Sequence, residues 1–440
     1  MDQERDLPRK IGFWGGSAIM VGIIVGSGIF AVPRTIAGEL DSPLGILGLW
    51  VAGGVLSLFG ALTYAELGAM FPRSGGIYVY LREGLGGTVA FVFGWTYMIL
   101  TKPLAAAGIV TIFSEHLNPL LGVSWRPEIV TCVLLTLLTV INLVGVRLGT
   151  GVSVALTAFK VAALLGIVGC GVFLGRGSPA AFRAPPSGRG YLDALAPVLY
   201  SILWTYDGWS DVAAVAGEVE EPQKNLPRIF LVGTAATILL YVAVNAVYLS
   251  VLPVPEMRQT AAVAPEVMRR LVGPWGATAV GALIVLSTLG SSHASVLTGA
   301  RVTFAQAREG LLFRPLGRIH PRFETPGVSL GVQLVLSCAA VLVYRNFDTL
   351  AGGFTFTMWI FYALSALAVI VLRIRRPDLP RPYRCWGYPL VPAVFILAAA
   401  GMTVLELRGA PWRHTVPWLG VFVAGVPAYW LWRRGTSLRA

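Results

Sequence analysis

Apolar runs of about twenty residues, repeated along the whole chain, constrain this sequence more than any other feature. A helix of roughly 20 apolar residues crosses the hydrocarbon core of a bilayer, and the stretch 44–70, LGILGLWVAGGVLSLFGALTYAELGAM, is one of many that reach that length. Over 440 residues, 55% are hydrophobic and 13% charged, and mean hydropathy is +0.71. The expected fold class is therefore all-α, a polytopic membrane protein embedded in a lipid bilayer. A net charge of +12 would suggest a nucleic-acid partner in a soluble chain. Here the basic residues cluster in short loops between apolar runs, so no nucleic-acid binding is expected.

Apolar length and helix breakers predict twelve spans: 11–37, 44–70, 87–114, 128–146, 152–174, 193–219, 227–252, 275–305, 327–344, 349–372, 388–406 and 415–432. A polar, Pro-containing loop covers 176–190, and a short helix is expected near 265–271. Most of the 34 lysines and arginines fall at the termini and in the even-numbered loops, which predicts that both termini are cytoplasmic. MDQERDLPRK leads straight into an apolar run too long for a signal-peptide core, so the first span is expected to act as its own insertion signal. Cys132, Cys170, Cys338 and Cys385 show neither metal spacing nor a disulfide framework; no metal and no cofactor is expected.

Two spans carry a flaw. In the first, Gly22, Gly26 and Gly28 surround Ser27 within GIIVGSGIF, and each glycine costs about 1 kcal/mol against alanine in a helix interior. The run should split into two half-helices. Backbone groups freed at a break inside a membrane are tolerated only where protein or a wet cavity receives them, so the break marks a binding site. The half-helix starting near Ile29 would aim free N–H groups at that cavity and favour an anion such as a carboxylate. In the sixth span, Tyr206-Asp207-Gly208-Trp209-Ser210-Asp211 interrupts the apolar run in the same way. Breaks five spans apart fit a 5+5 inverted repeat, 11–174 and 193–372, followed by two additional helices over 388–432, all in one transmembrane domain spanning 1–440. Close helix packing around the glycines is the rival explanation.

Single ionisable residues add to this. Lys160 lies about eight residues from the nearest loop, ~12 Å at 1.5 Å per residue, too far for comfortable snorkelling. Its ammonium would cost about 2.5 to 3.5 kcal/mol at a span centre, so something must compensate it. Asp207 either faces the pocket or caps the second half-helix, with capping ranked first. His293, within SSHAS, is either a satisfied buried histidine or a pocket or proton-linked residue. Glu66 and the group Glu218, Glu220 and Glu221 lie near basic residues; a gating role is expected for Glu66 and a structural one for the others. Lys102 is expected to be less deeply placed than Lys160.

The strings GIIVGSGIF (22–30), YAELGAMFPRSGG (64–76), WTYDGW (204–209), GEVEEPQKNLP (217–227), GARVTFAQAREG (299–310) and RPYRCWGYP (381–389) resemble the L-type amino acid transporter branch of the amino acid, polyamine and organocation superfamily, bacterial type. The resemblance implies sodium-independent amino acid transport, often by exchange, in the plasma (cell inner) membrane, and no enzymatic activity. It implies that amides of Ser27, Gly28 and Ile29 hold the substrate carboxylate, and that carbonyls around Ile23 and Trp204, Thr205, Tyr206 and Asp207 take its ammonium. It implies too that Trp204 is an aromatic gate and that Lys160 stands against the first break in place of a cation, with Ser287 or Ser291 as oxygen partner. A hydroxyl contact from Ser27 competes with a bond to its own helix backbone. Animal carriers of this branch pair through a disulfide with a heavy chain; no cysteine lies between the third and fourth spans, so no heavy-chain subunit is expected. Small neutral substrates are the first expectation. A proton-coupled symporter is the alternative within transporters, and a channel or sensor the alternative outside them.

Overall fold

The computed structural model describes residues 9–73, 75–144, 150–174, 191–260, 262–409 and 411–437. The predicted loop 176–190 lies outside them. Among the described residues there is no β-strand, only an isolated bridge between Ile11 and Val219. The α-helices in order are α1 (Phe13–Ile24), α2 (Gly28–Glu39), α3 (Pro43–Met70), α4 (Ile77–Leu85), α5 (Gly87–Leu121, with a π-helical turn at Tyr97–Thr101), α6 (Pro127–Val144), α7 (Thr150–Phe173), α8 (Tyr191–Tyr206), α9 (Pro222–Val251), α10 (Val254–Gln259), α11 (Val263–Val272), α12 (Pro274–Arg308), α13 (Gly327–Tyr344), α14 (Phe347–Arg375), α15 (Leu390–Gly409) and α16 (Trp412–Ser437). A 3-10 helix, Trp209–Glu218, follows α8.

Nine described helices are long and apolar enough to cross a membrane, ten spans if the pair α1 and α2, bent by 40°, is one. The described apolar part of α7, Thr157–Phe173, is shorter. The sixth predicted span is divided between α8 and the 3-10 helix. Helix ends obey local chemistry: Ser42 and Asn346 each accept a backbone N–H of the first turn, at 3.1 and 2.8 Å, and α6 and α9 begin on prolines, which need no donor there. The predicted short helix near 265–271 is α11, with α10 just before it.

The helices arrange by what they can bury. In its most apolar stretch α5 is 83% buried and forms the centre, whereas α16 is 17% buried and presents Val423, Val426, Trp430 and Leu431 outwards. An outward apolar surface of this kind is stable only against lipid. Two groups of helices stand out from their contacts: α1, α3, α9 and the 3-10 helix pack together, while α5 packs on α6, α12, α13 and α14.

Polar links at helix ends fall into two sets. On the side of the N-terminal segment, Lys10 and Ile11 donate to the Glu218 carbonyl at 2.9 Å, Arg82 meets Glu309 at 3.1 Å, and Thr325 donates to the Leu143 carbonyl at 2.8 Å. At the opposite ends, Arg258 binds Asp41 and the Ala37 carbonyl, Thr35 donates to Asp348 at 3.0 Å, and Asn118 donates to the Trp125 carbonyl at 2.8 Å. Each link joins ends that alternate as consecutive crossings require. The start of the first span meets the end of the sixth, so these two broken spans run in opposite directions.

Candidate functional site

The two breaks meet each other. The chain leaves α1 at Ile24 and re-enters a helix at Gly28, so the expected start near Ile29 is displaced by one residue. A methyl group on Gly28 would come within 2.8 Å of Thr205 Oγ1 and 3.1 Å of Thr205 Cα, so only glycine lets α2 start against the end of α8. From the other side, Gly208 adopts φ 110°, and a methyl group there would lie 2.7 Å from Ile23 Cγ2. Gly208→Ala should therefore push the breaks apart and destabilise the fold by about 1 to 3 kcal/mol; an unchanged melting temperature in detergent would show that the contact yields freely.

At the start of α2, Phe30 and Ala31 donate to the Ser27 carbonyl at 3.1 and 3.3 Å. The N–H groups of Ser27, Gly28 and Ile29 donate to no described residue, though all three residues are buried. Unpaired N–H groups at a helix start attract negative charge, through the helix dipole and their own unused donors. The Ser27 hydroxyl makes no bond to its own helix, so that alternative falls away. Opposite lie carbonyls with no described donor, those of Ile23, Thr205 and Tyr206, while the Trp204 carbonyl accepts the Asp207 amide at 3.2 Å and the Ile24 carbonyl accepts the Tyr241 hydroxyl at 2.8 Å. Donors of one break and acceptors of the other, unpaired among the described residues, thus belong to segments that touch where Gly28 meets Thr205 and Gly208 meets Ile23.

Side chains around the breaks have separate duties. Trp204 is held edge-on by Phe347 and Phe354, with ring centroids 5.6 and 4.9 Å apart. The Tyr206 ring packs on Trp50 and Tyr241, with centroids 5.7 and 5.3 Å apart. Asp207 does not cap the second half of its span: the cap position is Gly208, the segment is a 3-10 and not an α-helix, and the Asp207 carboxylate accepts the Tyr362 hydroxyl at 2.6 Å.

Lys160, buried on α7, donates to Ser291 Oγ at 3.0 Å. Ser291 Oγ is also 4.0 Å from where a Gly26 side chain would begin, so the lysine reaches the first break through α12. Ser287, one turn earlier, is buried without a hydrogen-bond partner among the described residues. His293 lies two residues past Ser291, about 200° further round the helix, and pairs with Asn142 of α6 at 3.3 Å. That is a buried, bonded histidine pointing away from the breaks; the pocket role is not what this placement offers. Glu66 binds Arg373 through both oxygens, at 2.9 and 2.6 Å, and accepts the Cys385 amide at 2.7 Å. Among the described residues its partners come from the end of α14 and the segment after it, none from either broken span. Burial, and then the Glu66 carboxylate, push the Cys385 thiol up to about 12, which leaves it inert. Lys102, expected to be shallower than Lys160, is buried to the same degree.

Residues 11–426 match the family model described as amino acid permease. The chain belongs to the amino acid permease family. The permease is 31% identical over 417 residues to the mouse b(0,+)-type amino acid transporter 1, covering 93% of this chain and 85% of that one. It is 33% identical over 433 residues to the human cystine/glutamate transporter, covering 97% and 85%. With the rat large neutral amino acids transporter small subunit 2 it shares 32% over 440 residues, covering 97% and 81%. These relatives are membrane transporters of amino acids, and the breaks therefore sit in a transporter scaffold.

Proposed function

We propose that this permease is a sodium-independent exchanger of small or neutral L-amino acids that works by alternating access. The reading is carried by the buried N–H groups of Ser27, Gly28 and Ile29 and the carbonyls of Ile23, Thr205 and Tyr206, all without a partner among the described residues, on two breaks that touch at Gly28 and Gly208. A carboxylate fits the first set and an ammonium the second, so every α-amino acid is held by the part it shares with the others. Trp204, wedged between Phe347 and Phe354, closes the site on the side away from the termini and limits the room for the substrate side chain. That favours alanine, serine, cysteine or threonine.

The same reading takes the molecule as twelve spans in a 5+5 inverted repeat, with α7 as the fifth span and α8 plus the 3-10 helix as the sixth. The opposed directions of the two broken spans support it. Both termini are cytoplasmic in a plasma membrane, and the chain acts without a heavy-chain subunit. The Lys160 ammonium, joined to the first break through Ser291, stands where a metal ion would otherwise be required, so sodium has nothing to stabilise. Proton symport is the second reading, favoured by the burial of Lys160 behind a single hydroxyl.

Proteoliposomes loaded with unlabelled amino acid, or left empty, decide between them. Exchange predicts faster uptake into loaded vesicles, unchanged when choline replaces sodium. Equal uptake into both would refute exchange, and uptake into empty vesicles driven by a pH gradient would establish symport. Amino acid esters, which lack the carboxylate, should fail to compete; full competition would rule out the anion site at the start of α2.

A further inference from the structure

The cation at Lys102 has no duty in the site described above. It follows the π-helical turn Tyr97–Thr101 and precedes Pro103, whose missing N–H and bulky ring prevent a regular helical bond at that turn. The widened turn is a local feature that recurs at functional sites, and it sets Lys102 on the inner face of α5. The stem runs along α12: a methyl group on Gly299 would meet Lys102 Cγ at 2.3 Å. Buried as it is, the ammonium has no hydrogen bond or ion pair with any described residue.

Among the described residues, the charges that act on it are the carboxylates of Asp211 and Asp207. Asp207 is already engaged by Tyr362. Asp211, in the first turn of the 3-10 helix, is exposed, and its side chain likewise has no hydrogen bond or ion pair among the described residues. The two residues belong to different helix groups. Asp211 rides on the 3-10 helix, which packs on α1, α3 and α9, whereas Lys102 rides on α5, which packs on α6, α12, α13 and α14. Asp211 stands three residues past Gly208, so its exposed carboxylate is open to water on the terminal side of the breaks. Above the breaks, Trp204 packs on Phe347 and Phe354, and Thr35 bonds Asp348, so that side is closed.

We propose that Lys102 and Asp211 form the gate on the terminal side: an ion pair made when the two helix groups close there and broken in the state described here. A buried cation and a carboxylate open to water gain most by meeting when the water around them is expelled. Such a pair favours one state of the carrier over the other, and so governs how fast the two interconvert. This rests on the carrier reading, and wild-type exchange in the same vesicles tests that reading separately.

The experiment measures exchange in proteoliposomes and substrate binding to purified protein for Lys102→Asp, Asp211→Lys and the double swap, with Lys102→Met and Asp211→Asn as neutral variants. The single reversals should lower the exchange rate about tenfold or more while substrate affinity stays within about threefold, and the double swap should recover most of the rate. The neutral variants should slow exchange less than the reversals and also bind normally. Single reversals that exchange at the wild-type rate would overturn the gate. So would a double swap that binds substrate yet exchanges no better than the singles. Loss of binding in the folded neutral variants would assign the residues to the substrate site instead. If the reversed variants do not fold, neutral variants that bind and exchange like wild type overturn the proposal on their own.

Discussion

Lys160→Ala should cripple amino acid uptake and leave a folded, monodisperse protein. The physical case starts from cost: a lysine ammonium in the middle of a span is disfavoured by about 2.5 to 3.5 kcal/mol, and here its donors find only Ser291 Oγ among the described residues, at 3.0 Å. Removing such a group does not cost the fold much, because the desolvation penalty goes with it. What is lost is the tie from α7 through Ser291 to the Gly26 segment, and with it the spacing of the free N–H groups at Ser27, Gly28 and Ile29. Uptake should fall by about a hundredfold, in line with losing a group that orients the binding donors, while the melting temperature changes little. Purified Lys160→Ala that exchanges at the wild-type rate would remove Lys160 from the mechanism. Ser291→Ala should reproduce part of the defect, whereas Ser287→Ala should not.

Glu66→Ala is expected to act in the opposite way, on the fold more than on the site. The Glu66 carboxylate is buried, takes both nitrogens of the Arg373 fork, accepts the Cys385 amide, and has Arg381 Nε at 3.7 Å. Arg373 also lies over the Tyr388 ring at 3.8 Å. Deleting one member of a buried pair leaves the other charge uncompensated, at about 3 to 5 kcal/mol. The melting temperature in detergent should fall by many degrees, and the segment 376–389 should become open to protease. Glu66→Gln keeps one acceptor and should lose less. A Glu66→Leu, Arg373→Leu double variant should be more stable than Glu66→Ala, since it removes both charges. Wild-type melting of Glu66→Ala would mean that water already compensates the arginines.

The behaviour of these residues separates what a local pattern carries from what distance in sequence hides. Helical spans were readable because a bilayer demands a length and a composition, and both are written in consecutive residues. The breaks were readable for the same reason: GSG in one span and YDGWSD in the other lower helix stability where they stand. The free N–H groups at Ser27 to Ile29 follow directly, since any helix start leaves its first donors unpaired. Lys160 stood out through its depth alone.

Partners were a different matter. Ser287 and Ser291 are chemically equal and one helical turn apart, and only the crossing of α7 and α12 chooses Ser291. Which face His293 presents depends on the rotation of α12 in its bundle, and that rotation turns it to Asn142. Glu66 and Arg373 stand 307 residues apart, with no periodicity to connect them. Asp207 looked like a cap because its neighbours are those of a helix start; tight packing of Gly208 on Ile23 shifted the cap by one residue and gave the carboxylate to Tyr362. Lys102 and Asp211 are each ordinary in sequence, and only the packing of the helices puts the one on α5 and the other in the group of α1, α3 and α9. Sequence alone thus determined that the chain crosses a membrane, where its helices break and where a cation is buried, because those are short-range consequences of backbone and solvent. The tertiary structure decided which groups meet across the breaks, because that depends on helix crossings set by the whole core.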